Sequence, residues 1–250
     1  MYLNEVNVIF YVIIGIVGLF TGQLVDWMCV RLPDYKKVFT KEIFSEYKKE
    51  FKPNYVMMLL NALIYITLLH RFGIANTFVG NLDLIKFLIL TPALLTAFVI
   101  DYRLQIIPNR LNLTLFEVGL VFVFIYGISN IAISINMILG MLVGGGIFLI
   151  ITLVGGLIYG KEAMGLGDVK FMGALGLFFG LERIVVIALV SFLIGAILSI
   201  ILLATKIKKT DEYIPFGPFI VISTFITMFV PFEIMFNVLV TIFTLGLYNR

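Results

Sequence analysis

The sequence predicts an all-α fold: a polytopic helical bundle in a membrane, with about eight transmembrane helices. Three observations carry this. Of the 250 residues, 61% are hydrophobic and 13% charged, where a soluble domain has about 25% charged, and the mean hydropathy is +1.11. Apolar runs long enough to span a bilayer, roughly 17–25 residues, recur along the whole chain. The short alternating strands of an outer-membrane barrel are missing, and runs such as VVIALVSFLIGAILSIILLA stand in their place.

The elements follow in order. The opening MYLNEVNVIFYVIIGIVGLF has no Lys or Arg ahead of Arg31. It lacks the basic region of a cleavable signal peptide and reads as a retained first span, 6–30. Further spans are expected at 54–70, 85–101, 111–128, 133–159, 168–180, 184–205 and 214–230, and 232–247 is a ninth span or an interfacial helix. The span at 133–159 is long and rich in glycine, which suits a tilted or broken helix. Glycines recur at four-residue spacing in Gly18 and Gly22, Gly140 and Gly144, and Gly176 and Gly180. Such pairs let transmembrane helices approach closely. The whole chain, 1–250, reads as a single membrane-embedded domain.

Charge sets the expected orientation. With the N-terminus outside, the inside segments are 31–53, 101–110, 160–170 and 205–213, and they hold 14 of the 18 Lys and Arg. The outside segments hold only Arg71, Lys86 and Arg183, and Arg250 depends on the last segment. By the positive-inside rule this places Asp101, Asp168 and the 31–53 loop on the cytoplasmic face. That loop, RLPDYKKVFTKEIFSEYKKEFKP, spaces Val38, Ile43, Phe44, Tyr47 and Phe51 among Lys and Glu as in an amphipathic helix lying on the membrane surface. Lipid is therefore one expected partner. The net charge of +3 reflects loop topology, and no nucleic-acid partner is expected.

Cys29 is the one cysteine and His70 the one histidine. Neither a disulfide within the chain nor a cysteine- or histidine-based metal site is expected. The remaining candidates for chemistry are carboxylates. Ionisable groups inside a membrane are costly, and four acids fall in or at the end of a span: Asp26, Asp101, Glu117 and Asp168. Asp101 closes TPALLTAFVID and opens YRLQIIPNRLN, where Pro108 forces a break at Ile107 and Asn109 or Asn112 can cap the next helix. Asp168 lies in KEAMGLGDVKFMGALG as the N-cap and opening residue of its own helix. Both acids then sit at one depth on different helices.

Two carboxylates that share a site hold one proton between them. That arrangement suits amide hydrolysis, in which the ionised group takes a proton from water and its protonated partner polarises the scissile carbonyl. A helix N-terminus favours the ionised form of Asp168 and hence the base role, leaving the acid role to Asp101. Gly165 and Gly167 leave backbone bare, so an extended peptide can approach there. Glu117, about two turns into its span, can line a substrate groove. Asp26 reads as structural, and Lys170 as a snorkelling or ion-paired side chain. The competing reading of the same acids is a proton-coupled transporter; both lying at one face, with no acid chain through the bilayer, disfavours it.

MGLGDVK resembles the GxGD signature of intramembrane aspartyl peptidases, and EAMGLGDVKFMGALGLFFG is similar to the type IV prepilin peptidase family. DYRLQIIPN, GLFTGQLVDWMCVRLP and IPFGPFIV resemble the same family, in the same order along the chain. The resemblance implies an inner-membrane enzyme whose catalytic aspartates, Asp101 and Asp168, face the cytoplasm. It implies removal of the short basic leader from type IV prepilins or pseudopilins ahead of their hydrophobic helix, or of preflagellins in a related system. Glu162 matches a family Glu that would bind the leader or orient its loop. The peptidase reaction needs no cofactor. Many bacterial members also N-methylate the new N-terminus with S-adenosylmethionine and carry two zinc-binding CxxC pairs in the first cytoplasmic loop. Here the 31–53 loop is short and has no cysteine, so S-adenosylmethionine enters only if the methyltransferase activity is retained.

Overall fold

A computed structural model describes residues 2–3, 6–36, 38, 53–160, 164–205 and 214–244. The amphipathic helix expected within 31–53, and Glu162, lie outside the described residues. The described chain is helical apart from a short antiparallel pairing of β1 (Tyr2–Leu3) with β2 (Val6–Asn7). Six helices are long and apolar enough to cross a membrane, so the chain is the polytopic helical membrane protein that its composition predicts. Its contacts fall into two compact units, Met1–Leu104 with Pro108–Leu115, and Gln105–Ile107 with Phe116–Arg250.

The first unit holds α1 (Val8–Arg31), α2 (Tyr55–Phe72), α3 (Leu82–Leu104) and the opening turns of α4 (Asn109–Ser129). The Gly18 and Gly22 pair is where α1 meets α2. A Cβ at Gly18 would lie 2.6 Å from the Ala62 Cα, and one at Gly22 2.6 Å from the Met58 Cα. That closeness lets the fully buried Asn61 donate from Nδ2 to the Gly18 carbonyl (2.8 Å) and the Thr21 hydroxyl (2.7 Å). Asn54 caps α2 by accepting from the Met57 amide and is itself held from α1: its amide donates to Gln23 Oε1 (2.9 Å) and its Nδ2 to Asp26 Oδ1 (2.8 Å). Asp26 is thus a tether between two helices, consistent with its structural reading.

Most of α3 is buried, with Phe87, Leu90, Leu94 and Ala97 fully enclosed. Pro92 lies inside this helix. Proline has no N–H, so the carbonyl four residues earlier, Leu88, loses its helical donor. The Tyr65 hydroxyl of α2 donates to that carbonyl at 2.6 Å.

The second unit holds the rest of α4, α5 (Ile131–Tyr159), α6 (Leu166–Ala204), α7 (Gly217–Phe229) and α8 (Phe232–Phe243). At 39 residues, α6 would be about 58 Å long if straight, twice the hydrocarbon core. It breaks at Gly180, whose φ of 73° and ψ of 179° lie in a region essentially open to glycine alone. The two arms, 166–179 and 181–204, correspond to the separate spans expected at 168–180 and 184–205. Asn136 of α5 takes up the break: its Oδ1 accepts the Leu181 amide at 2.6 Å, capping the second arm from another helix.

The two glycine pairs of α5 and α6 interlock. A Cβ at Gly140 would meet the Gly176 carbonyl at 2.6 Å, one at Gly144 would meet the Met172 carbonyl at 2.8 Å, and one at Gly176 would overlap the Gly140 carbonyl. At the second arm of α6, Phe192 packs against Phe148 and Phe216, and Phe216 against Phe219, in a ring cluster that joins α5, α6 and the start of α7. The 12 residues of α8 reach about 18 Å, too short to cross the core alone. Its Met235 and Leu239 pack on Val186, while Ile234, Phe236 and Val238 are exposed.

Candidate active site

Asp101 is placed by the first unit. It lies in the last turn of α3 and is 3% exposed, although Tyr102 and Leu104 beside it are exposed. The helix ends at Leu104, and Gln105 adopts a left-handed φ of 56° that turns the chain out of the helix. Ile107 is buried, and α4 begins directly after Pro108, whose carbonyl accepts from Leu111 (3.0 Å) and Asn112 (3.2 Å). Pro108 therefore acts where the sequence places it, stopping one helix and preparing the next. The helix bonding starts at the Pro108 carbonyl, and Asn109 and Asn112 are already inside the first turn.

Asp168 is placed by the second unit and is 4% exposed. It is not the N-cap. Gly165 is the N-cap, with extended backbone at φ −70° and ψ 141°, and its carbonyl accepts the Asp168 amide at 3.0 Å. Asp168 is the third helical residue. Glycine caps without a side-chain bond, so the helix starts one turn earlier than an Asp cap would allow. The carboxylate remains in the first turn, where the helix dipole favours negative charge.

The two flanking glycines differ in surroundings. A Cβ at Gly165 would lie 3.6 Å from Asp168 Oδ2, so this glycine borders the carboxylate directly. A Cβ at Gly167 would lie 3.4 Å from both the Cβ and the carbonyl oxygen of Ile107. Gly167 is thus packed against the loop that follows Asp101, a neighbour that the bare GxG spacing does not reveal.

Glu117 is exposed on α4, on the face that also exposes Leu113, Leu120 and Val121. Lys170 is exposed. Among the described acids two therefore stand apart: Asp101 and Asp168 are almost wholly buried, and each sits in the terminal turn of its helix.

That combination falls inside one segment of sequence similarity. Residues 88–200 match the type IV leader peptidase family. The leader peptidase match takes in Asp101, Glu117, Gly165, Gly167 and Asp168. Relatives carry the name prepilin leader peptidase/N-methyltransferase. One from Xanthomonas campestris is 32% identical over 68% of this chain and 56% of its own length. One from Aeromonas hydrophila is 29% identical over 65% of this chain and 55% of its own length. One from Legionella pneumophila is 36% identical over 52% of this chain and 44% of its own length. The chain thus matches about half the length of these leader peptidases. No solved structure matches it.

Proposed function

We propose that this protein is an intramembrane aspartic endopeptidase that removes the basic leader from type IV prepilins or pseudopilins, with Asp101 and Asp168 as its dyad. The observation that carries the reading is the burial of these two carboxylates, 3% and 4% exposed, at helix ends within the leader peptidase match. A carboxylate in an apolar membrane protein is costly and marks function by default.

The chemistry follows from the pair. The ionised carboxylate, assigned to Asp168, takes a proton from water as the water oxygen attacks the scissile carbonyl. The protonated Asp101 donates a hydrogen bond to the carbonyl oxygen, which becomes the hydroxyl of a tetrahedral intermediate. Collapse of the intermediate re-forms the carbonyl and breaks the C–N bond, as the hydroxyl proton returns to Asp101 and the proton on Asp168 goes to the leaving amine. Gly165, bare beside Asp168 Oδ2, is where the substrate backbone approaches. Gly167, Glu117 and Glu162 complete the proposed substrate-binding set. Glu117 lies on an outward face of α4, from which a hydrophobic substrate helix arrives laterally.

The active site faces the cytoplasm of the inner membrane in this reading, with the N-terminus outside, as supported by the 14 Lys and Arg of the inside segments. N-methylation, which some relatives' names include, would require S-adenosylmethionine. Co-expression with a candidate prepilin tests the proposal: the leader mass is lost with the native chain and kept with Asp101→Asn or Asp168→Asn. Cleavage that survives both substitutions refutes the dyad. The mass of the mature N-terminus, with or without one added methyl group, decides the second activity. A preflagellin cleaved in place of prepilins would reassign the substrate while keeping the dyad.

A further inference from the structure

The first unit contains a cavity of about 530 Å³ between α1, α3 and the start of α4. That is within the roughly 300–1,000 Å³ of ordinary ligand sites. Its walls are apolar, built by Met28 of α1, Pro92 and Ala93 of α3, and Leu111 of α4. Lys36 and Arg110, both exposed, line it as well. Neither residue belongs to the proposed dyad, and Leu113 of the lining lies on the α4 face that carries Glu117.

The arrangement is directional. Lys36 lies just past the C-terminal end of α1, and Arg110 lies in the first turn of α4. Both therefore sit at helix ends, where lipid headgroups lie, and the charge count puts both on the inner side. From this charged end the apolar wall runs inward. Leu115 is roughly 8 Å along α4 from Arg110, and Ala93 roughly 17 Å along α3 from its end at Leu104, at 1.5 Å per residue. Lys36 is partly offset by Asp34, whose Oδ2 is 3.0 Å from its Nζ. Among the described lining residues, Arg110 therefore supplies the net positive charge of the opening.

We propose that this cavity binds an anionic phospholipid. Its phosphate meets Arg110 and Lys36, and an acyl chain lies along Met28, Pro92, Ala93 and Leu111. The charge selects the occupant: a basic peptide segment is repelled by Lys36 and Arg110, and a zwitterionic lipid gains less from them. The inner leaflet is where anionic headgroups meet basic residues at helix ends. The site is independent of the peptidase reading and survives its failure.

A reporter is already in place. Trp27 is the single tryptophan, and its Nε1 donates to the carbonyl of Val38 (3.2 Å), a residue that lines the cavity. The full chain is reconstituted in phosphatidylcholine nanodiscs and titrated with phosphatidylglycerol or phosphatidylcholine carrying brominated acyl chains, which quench nearby indole. Phosphatidylglycerol should quench saturably and half-saturate at a mole fraction at least about fivefold lower than phosphatidylcholine. Arg110→Gln should remove about fivefold of that preference, Lys36→Gln less because of Asp34, and Arg110→Lys should retain it. Ala93→Phe should abolish the saturable component by filling the cavity. Leu113→Phe, at an exposed lining position, gives a second filling variant if Ala93→Phe does not fold. Equal quenching by the two lipids overturns the proposal, as does a preference that survives both charge substitutions. So does saturable quenching that persists in a folded filling variant, because the preference would then belong to the surface alone.

Discussion

The Tyr65 hydroxyl donates to the Leu88 carbonyl at 2.6 Å, the acceptor that Pro92 leaves without its helical donor. A polar group in an apolar interior must find a partner, and here α2 supplies it for α3. Tyr65→Phe removes the donor and should destabilise the protein by about 1–3 kcal/mol, the cost of an orphaned buried acceptor. Pro92→Ala restores an N–H to the helix, so in that background Tyr65→Phe should cost much less. Thermal unfolding in detergent, followed by Trp27 fluorescence across the double-mutant cycle, measures the coupling; a coupling near zero would show that Tyr65 does not serve Leu88.

Asn136 has the same role at the break in α6. Its Oδ1 accepts the Leu181 amide at 2.6 Å, and Asn136→Ala should cost about 1 kcal/mol, as for other lost helix caps. Gly180→Ala should cost more, about 1–3 kcal/mol, because its backbone conformation excludes a Cβ and that atom would also lie 2.7 Å from Asn136 Oδ1. The same unfolding measurement orders the two variants, and the reverse order would mean that the break is not glycine-dependent.

Glycines on adjoining helices should respond in opposite ways. Gly176→Ala drives a methyl group into the Gly140 backbone and should separate α5 from α6, lowering the yield of folded protein. Gly146 of α5 has nothing within 4 Å of its added Cβ. Gly146→Ala should be neutral or stabilise by up to about 1 kcal/mol through helix propensity. Expression level and melting temperature in detergent separate the pair.

The proposed dyad makes a kinetic prediction distinct from these. Asp101→Asn and Asp168→Asn keep the shape of each buried side chain and should leave the melting temperature within a few degrees of the native value. Each should nevertheless reduce leader cleavage by about 10²–10⁴-fold, the usual contribution of a general acid or base. Glu117→Gln, at an exposed position outside the reacting pair, should alter KM for a membrane-embedded substrate while leaving kcat nearly unchanged. Rates on purified prepilin in mixed micelles decide all three.

Much of this was legible in the chain itself. The eight expected spans correspond to helical segments, because apolar runs and their interruptions are local properties. Pro108 could be read as a break for the same reason, whereas Gly180 read as a packing glycine and only the backbone shows it as a break. The GxGD stretch drew attention to Asp168, but its exact helical position was misplaced. A sequence with Gly165 and Asp168 offers two residues able to begin a helix, and only backbone geometry chose Gly165. The packing of Gly167 on Ile107 was not legible, since it joins residues 60 positions apart in the chain.

What the sequence alone determined is the class of fold, the rough limits of the described helical segments, and the acids that a membrane makes conspicuous. These follow from the cost of placing polar groups in hydrocarbon, which each segment meets by itself. The tertiary structure alone decided which helix answers which. The helices are apolar nearly all round, so periodicity carries little information about their facing sides, and lipid is as apolar as a neighbouring helix. The choice falls to sparse, specific contacts: glycines that admit a backbone, Tyr65 for the carbonyl freed by Pro92, and Asn136 for the amide freed at Gly180.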